Sequence, residues 1–207
     1  IAVVDAIAYP SNVNYQYGFM SGVYYANKTC GTAAEVVEIA SYAGTDLNNE
    51  NVGGNYIGSF NDEATGKVIG EALINEGCDV IFVAAGNSGN GVFTAIKEAT
   101  GVYAIGVDVD QYDDGQNGDT NIMLTSALKN MRINVYRQLN AIKDGSFAGE
   151  NAVLSTSTDS MGYVSEEGRC QLSAETIEKI NEAYELVKSG EIVPAGFGTE
   201  TTPDNFK

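Results

Sequence analysis

The chain has 207 residues, 43% of them hydrophobic, which is enough for one large domain or two small ones around a packed core. Its 11 Lys and Arg stand against 28 Asp and Glu, a formal net charge of −17, and this excludes the counterion-displacing grip by which DNA, RNA and anionic membranes are held. Histidine is absent, which removes the commonest general base, the commonest transition-metal ligand and any Ser-His-Asp triad within the chain.

In chain order, "IAVVDAIA" (1–8) reads as a short buried strand, interrupted by Pro10 and Ser11. A helix over 12–27 follows, with Tyr15, Phe19 and Val23 on one face. "EVVEIASY" (35–42) is the second expected strand, and 43–55, rich in Asn and Gly, a long loop. "YIGSF" leads into a helix over 62–76 with an inner stripe of Val68, Ile69, Ala72 and Leu73, ended by Gly77. "DVIFVAA" (79–85) is the clearest buried strand, and a helix over 90–99 carries Val92, Ala95, Ile96 and Ala99.

Strands are expected next at 102–108 and 121–127, then a helix over 128–143 with Met131, Val135, Leu139 and Ile142 on one face. "NAVLST" (151–156) is expected as a late strand. Ser173 and Gly190 cap a last helix, and 195–207 reads as a polar tail. Alternating strands and helices predict an α/β protein, a parallel doubly wound sheet with helices on both faces. Ligands of such sheets sit at the carboxyl ends of the strands.

Cys30, Cys78 and Cys170 are scattered without a CxxC pair, a spacing that does not suit a zinc site and is compatible with three thiols or with one disulfide and one thiol. No cofactor motif is present. No apolar run approaches the ~20 residues that cross a bilayer. The chain opens on "IAVV" without Met or leader, and is read as a piece whose upstream part lies elsewhere.

Four features fall at the expected strand ends. The loop Gly86–Gly91 is spaced G-x-x-G-x-G, neither the Rossmann order nor a Walker loop. Its glycines suit either a tight turn or close backbone approach by a neutral ligand, and phosphate is the less supported reading. Asp108, directly after an apolar strand, suits the paired donors of a diol or the cap of a turn. Phe60, in the polar setting "GSFND", offers a face for stacking a planar ring or serves as a core plug. Lys129, placed at a helix start that disfavours a cation, calls for a carboxylate such as Asp108 or else stands solvated.

"YIGSFNDEATGK", "DVIFVAAGNSGNGV", "YAIGVDVDQ", "MLTSALKNM" and "NAVLST" resemble, in order and rough spacing, the basic membrane protein family, purine-nucleoside-binding lipoproteins of ABC transporters. The opening "IAVVDAIAYPSNVNYQYGFMSGV" is similar to that family's strand–Pro–helix element. The resemblance implies a type I periplasmic-binding-protein fold with one lobe largely missing. Residues 1–127 would be the second lobe, 128–150 a hinge and a helix packing on the absent first lobe, and 151–207 a return strand, terminal helix and tail. It implies that Phe60 stacks on the base, that Gly86 and Asn87 approach the ribose, and that Asp108 accepts its hydroxyls beside Lys129. Catalysis and cofactors are not expected. The implied partners are a purine nucleoside and a membrane ABC permease, with a homo-oligomer of the isolated chain. The implied location is extracytoplasmic, with a lipid anchor on the precursor. Glu63 stands where the family usually has Pro, Asn87 and Ser88 replace a more glycine-rich pair, and 43–55 resembles an insertion. A nucleoside- or sugar-processing enzyme and a ligand-sensing domain share the architecture, and both remain open at this point.

Overall fold

The computed structural model describes residues 1–206. Strand β1 (Ala2–Asp5) leads into helix α1 (Pro10–Cys30). A small hairpin of β2 (Gly44–Thr45) and β3 (Asn51–Gly53) precedes α2 (Glu63–Asn75). Next come β4 (Val80–Ala84), α3 (Gly89–Glu98) and β5 (Tyr103–Asp108). A second hairpin, β6 (Gln116–Asn117) with β7 (Thr120–Asn121), leads to β8 (Met123–Lys129) and α4 (Met131–Asp144). The chain closes with β9 (Met161–Tyr163), α5 (Ala174–Ser189) and α6 (Pro203–Phe206).

The main sheet has the order β1-β4-β5-β8-β9. Its first four strands are parallel, and β9 runs antiparallel to β8. Successive side chains of a strand point to opposite faces, and both faces of this sheet are covered. Ala2, Val4, Ile81 and Val83 pack against Ile69 and Leu73 of α2 and Val92 and Ile96 of α3. On the other face Val3, Phe82 and Ala84 meet Tyr15 and Phe19 of α1. Phe19 stacks on Phe82 at 5.9 Å, and Tyr15 meets the same ring edge-on at 5.9 Å. The parallel α/β class expected from the pattern is the class observed, with one antiparallel edge strand added.

Glycine sets how closely α2 and α3 approach. A Cβ on Gly91 would lie 1.9 Å from the carbonyl oxygen of Glu63, and one on Gly66 would lie 2.1 Å from that of Ser88. The buried stripe of α2 is therefore Gly66, Ile69, Gly70 and Leu73, whereas Val68, expected inside, is 52% exposed.

Four further expectations are corrected. No strand forms at 35–42. The segment runs beside β1, where Val37 N–H donates to Ile1 O, but the ladder stops there. The buried Asn55 side chain takes the next places instead, donating to Val3 O and Val37 O and accepting from Ile39 N–H. "NAVLST" is not a strand either, since the return pairing with β8 is made by β9. Lys129 pairs there with Met161, so it ends a strand and does not begin a helix. The expected polar tail is docked at its start: Ala195 N–H donates to Ser21 Oγ and Phe197 N–H to Asn14 Oδ1, both on α1. Helix α4 buries none of its residues, and Met131, Val135, Leu139 and Ile142 are each 58–66% exposed. All three cysteines are free thiols.

The glycine contact gives two substitutions of opposite sign. Gly91→Ala forces backbone apart and is expected to cost about 2 kcal/mol, as overpacking does. Gly22→Ala, on α1 with nothing within 4 Å of its Cβ position, is expected to gain roughly 0.5 kcal/mol. Urea midpoints measure both, and equal effects at the two sites would contradict the packing account.

Candidate functional site

Four parallel strands release their chains at one edge, and the side chains singled out from sequence lie along it. The turn after β4 is a 3-10 segment, Gly86–Ser88, that runs directly into α3. Of the loop's three glycines only Gly86 has a positive φ, +57°. Gly89 and Gly91 are helical, and Cβ atoms there would strike Val83 and Glu63. Close approach by a ligand is thus a reading left to Gly86 alone.

Ser88 is fully buried and staples the preceding loop to this turn. Its Oγ donates to Ser59 O and accepts from Asp62 N–H, and its amide donates to Phe60 O at 3.1 Å. A helix start offers such amides to an anion, and here a carbonyl already takes this one. The same staple seats Phe60 over Gly86, whose Cβ position lies 3.1 Å from the ring. Phe60 is 37% exposed and pairs with Tyr9 at 6.4 Å. It is an edge residue and not a core plug. Asn87 donates from its side chain to Asn61 Oδ1 and is exposed.

Asp108 and Lys129 form the second group. Lys129 Nζ lies 2.9 Å from Asp108 Oδ1, and Tyr15 donates its hydroxyl to the same oxygen at 3.1 Å. The Lys129 ammonium also stands 5.4 Å from the centre of the Tyr15 ring, within cation–π range. Asp108 is left-handed at φ +68°, a conformation rare enough outside glycine to draw attention to a site. Burial, then the Asp108 charge, pushes the Tyr15 hydroxyl up to about 12. Burial works against the Lys129 ammonium, but hydrogen bonds to Asp108 and Tyr15 more than offset it, and the lysine sits above its ordinary value. An ion pair this exposed adds little stability; its effect is to fix position.

The two groups are separate. Phe60, Gly86 and Asn87 gather at the end of β4, and Asp108, Lys129 and Tyr15 at the ends of β5 and β8. Adjacent strands lie about 4.8 Å apart, so β4 to β8 spans roughly 10 Å. A cavity of about 690 Å³ lined by Tyr103, Asn117 and Asp119 lies at the opposite, amino-terminal end of β5 and includes none of these residues. The edge is an open shelf. Sequence reading missed Ser88 and Tyr15. Tyr15 fits the apolar stripe of α1, and the sign of a second role was a hydroxyl in the first turns of a helix that starts at the carboxyl edge.

Two further carboxylates near this edge, Asp62 and Asp110, which an enzyme would need free for acid–base work, are engaged. Asp62 caps α2, accepting from Thr65 N–H and Oγ1, and these bonds hold its carboxyl below the ordinary range. Asp110 is paired with Arg169 at 2.7 Å, and the same guanidinium holds Asp113. No cluster of three metal-ligating side chains occurs among the described residues.

Fold and edge together are those of an α/β unit with an open shelf at the carboxyl ends of its parallel strands. A model of the family described as "ABC transporter substrate-binding protein PnrA-like" matches residues 40–193, and the chain belongs to that family. It is 29% identical over 204 residues to the "CD4+ T-cell-stimulating antigen" of Listeria monocytogenes, covering 92% of this chain and 55% of that one. It is 38% identical over 110 residues to the "ABC transporter nucleoside-binding protein BmpA" of Lactococcus lactis, covering 47% and 31%. Among solved structures, a solute-binding protein of an ABC transporter system from Aeropyrum pernix superposes with a TM-score of 0.73 at 22% identity, over 99% of this chain and 59% of that one. At that identity the likeness speaks for fold alone. The chain spans little more than half the length of these longer relatives.

One buried group at this edge has a measurable consequence. Asp5 ends β1 fully buried, and neither carboxylate oxygen meets a hydrogen-bond donor among the described residues. Burial pushes its carboxyl well above the ordinary 3.8; the nearby Asn12 amide pulls back less, being committed to Ala84 O at 3.2 Å. The folded chain therefore keeps this proton after the unfolded chain has released it. Stability from this group is complete below 3.8 and falls as pH rises toward the folded pKa. Asp5→Asn is expected to stabilise the protein at neutral pH and to bring its urea midpoints at about pH 4 and about pH 8 closer together. An unchanged pH dependence would contradict the assignment.

Proposed function

We propose that this chain is the ligand-binding lobe of an ABC importer's solute-binding protein, taking a purine nucleoside or similar sugar-bearing molecule without chemistry. The observation that carries the reading is the single edge that holds both an exposed ring, Phe60, seated over Gly86 at the end of β4, and a carboxylate–ammonium pair, Asp108 with Lys129, at the ends of β5 and β8. Phe60 stacks on the base. The backbone at Gly86 and the side chain of Asn87 approach the sugar, and Asp108 and Lys129 read its hydroxyls. An amide already taken by Phe60 O disfavours a phosphate at the turn. Engagement of Asp62, Asp108 and Asp110 by other groups supports binding over catalysis.

An open shelf becomes a closed site when a second lobe folds over it. The ligand then shifts an open–closed equilibrium through its better affinity for the closed state. The exposed stripe of α4 is the face that a first lobe covers in the whole protein, and a second copy covers it in the isolated chain. The closed form docks on a membrane permease. The protein works outside the cytoplasm, held by a lipid anchor on the precursor; no helix among the described residues is long and apolar enough to cross a membrane.

Calorimetry of the full-length product against purine and pyrimidine nucleosides, free bases and sugars tests the reading. A purine nucleoside is expected to bind, and Phe60→Ala to weaken it about tenfold or more, on the scale of one lost stacking contact. Turnover of the nucleoside, or preference for a free sugar that is indifferent to Phe60, would refute it. Light scattering is expected to show the isolated chain as an oligomer that Leu139→Glu dissociates, and a compact monomer would contradict the α4 assignment.

A further inference from the structure

We propose that Tyr15 is a positioning residue that makes the edge read a diol asymmetrically, by holding one oxygen of Asp108 so that only the other faces the ligand. The inference rests on the nucleoside reading above and names a residue outside the span that the family model matches.

The geometry is specific. Tyr15 Oη and Lys129 Nζ both reach Asp108 Oδ1, at 3.1 and 2.9 Å. Both contacts converge on that oxygen, and no hydrogen bond to Oδ2 occurs among the described residues. The left-handed backbone of Asp108 fixes where the carboxylate leaves the strand. The Tyr15 ring is itself held edge-on against Phe82 at 5.9 Å, so its hydroxyl has a defined position. A free carboxylate could take both protons of a diol. This one offers a single acceptor, Oδ2, and the neighbouring ammonium supplies the complementary donor. One hydroxyl of the ligand therefore donates to Asp108 Oδ2, and its neighbour accepts from Lys129. The two hydroxyls meet opposite charges, one as donor and one as acceptor, so removing one is not equivalent to removing the other.

Tyr15→Phe isolates the role, because a phenyl ring keeps the packing on Phe82 and the face presented to Lys129 while losing only the hydroxyl. In the chain without ligand, the Lys129 ammonium followed by NMR is expected to titrate lower in Tyr15→Phe than in the unsubstituted protein. An unmoved titration would overturn the positioning role. In the full-length product, calorimetry with inosine and its 2′-deoxy and 3′-deoxy forms is expected to show one deoxy form weakened about tenfold more than the other. In Tyr15→Phe that gap is expected to close to about threefold or less. Equal losses in the unsubstituted protein, or a gap that Tyr15→Phe leaves intact, would overturn the asymmetric reading. If none of the three compounds binds, the nucleoside reading fails and the diol reading with it, while the Lys129 titration still decides whether Tyr15 positions the pair.

Discussion

Neighbouring strands that run the same way must release their chains at the same edge, and β1, β4, β5 and β8 do so. That constraint places Asp5, Gly86, Asp108 and Lys129 along one border although they are far apart in sequence. The buried strands then serve as a ruler. Their spacing sets how far the Gly86 turn at the end of β4, over which Phe60 sits, stands from the ends of β5 and β8 that carry Asp108 and Lys129. The helix starts add a second layer, since α1 and α3 begin at this border and bring Tyr15 and Ser88 to it.

Two fastenings turn the border into a defined surface. On one side the glycine contact between α2 and α3 and the buried Ser88 hold the loop that carries Phe60. On the other, Tyr15 and Lys129 converge on one carboxylate oxygen. The Asp108–Lys129 pair is half exposed and adds little to stability; its contribution is orientation. A surface with charge −17 has little attraction for polyanions, whereas a ring, a free carboxylate oxygen and an ammonium suit an uncharged molecule with a flat part and a hydroxylated part.

Much of this was legible in sequence. The strands at 79–85 and 102–108 and the helices around them follow from local apolar runs and caps, and the structure places them within a residue or two. The failures share a cause, which is dependence on residues distant in the chain. "EVVEIASY" has the composition of a strand, but the Asn55 side chain occupies the hydrogen bonds a ladder would have used. Lys129 looked like the start of a helix because its pairing with Met161, 32 residues on, leaves no local mark. Val68 was placed inside because counting apolar side chains overlooks glycines, and Gly66 and Gly70 face α3 for their lack of one. Tyr15 was read only as a core ring, since a stripe pattern registers the apolar body of a tyrosine and not the hydroxyl at its tip.

The central claim is that one uncharged ligand touches both fastened groups at once. Amide NMR of the chain titrated with guanosine at millimolar concentration tests this directly, because weak binding to a single lobe still perturbs the residues it meets. The account predicts shifts that move together at Phe60, Gly86, Asp108 and Lys129. Shifts that leave these four unmoved and gather instead around Tyr103, Asn117 and Asp119 would contradict it.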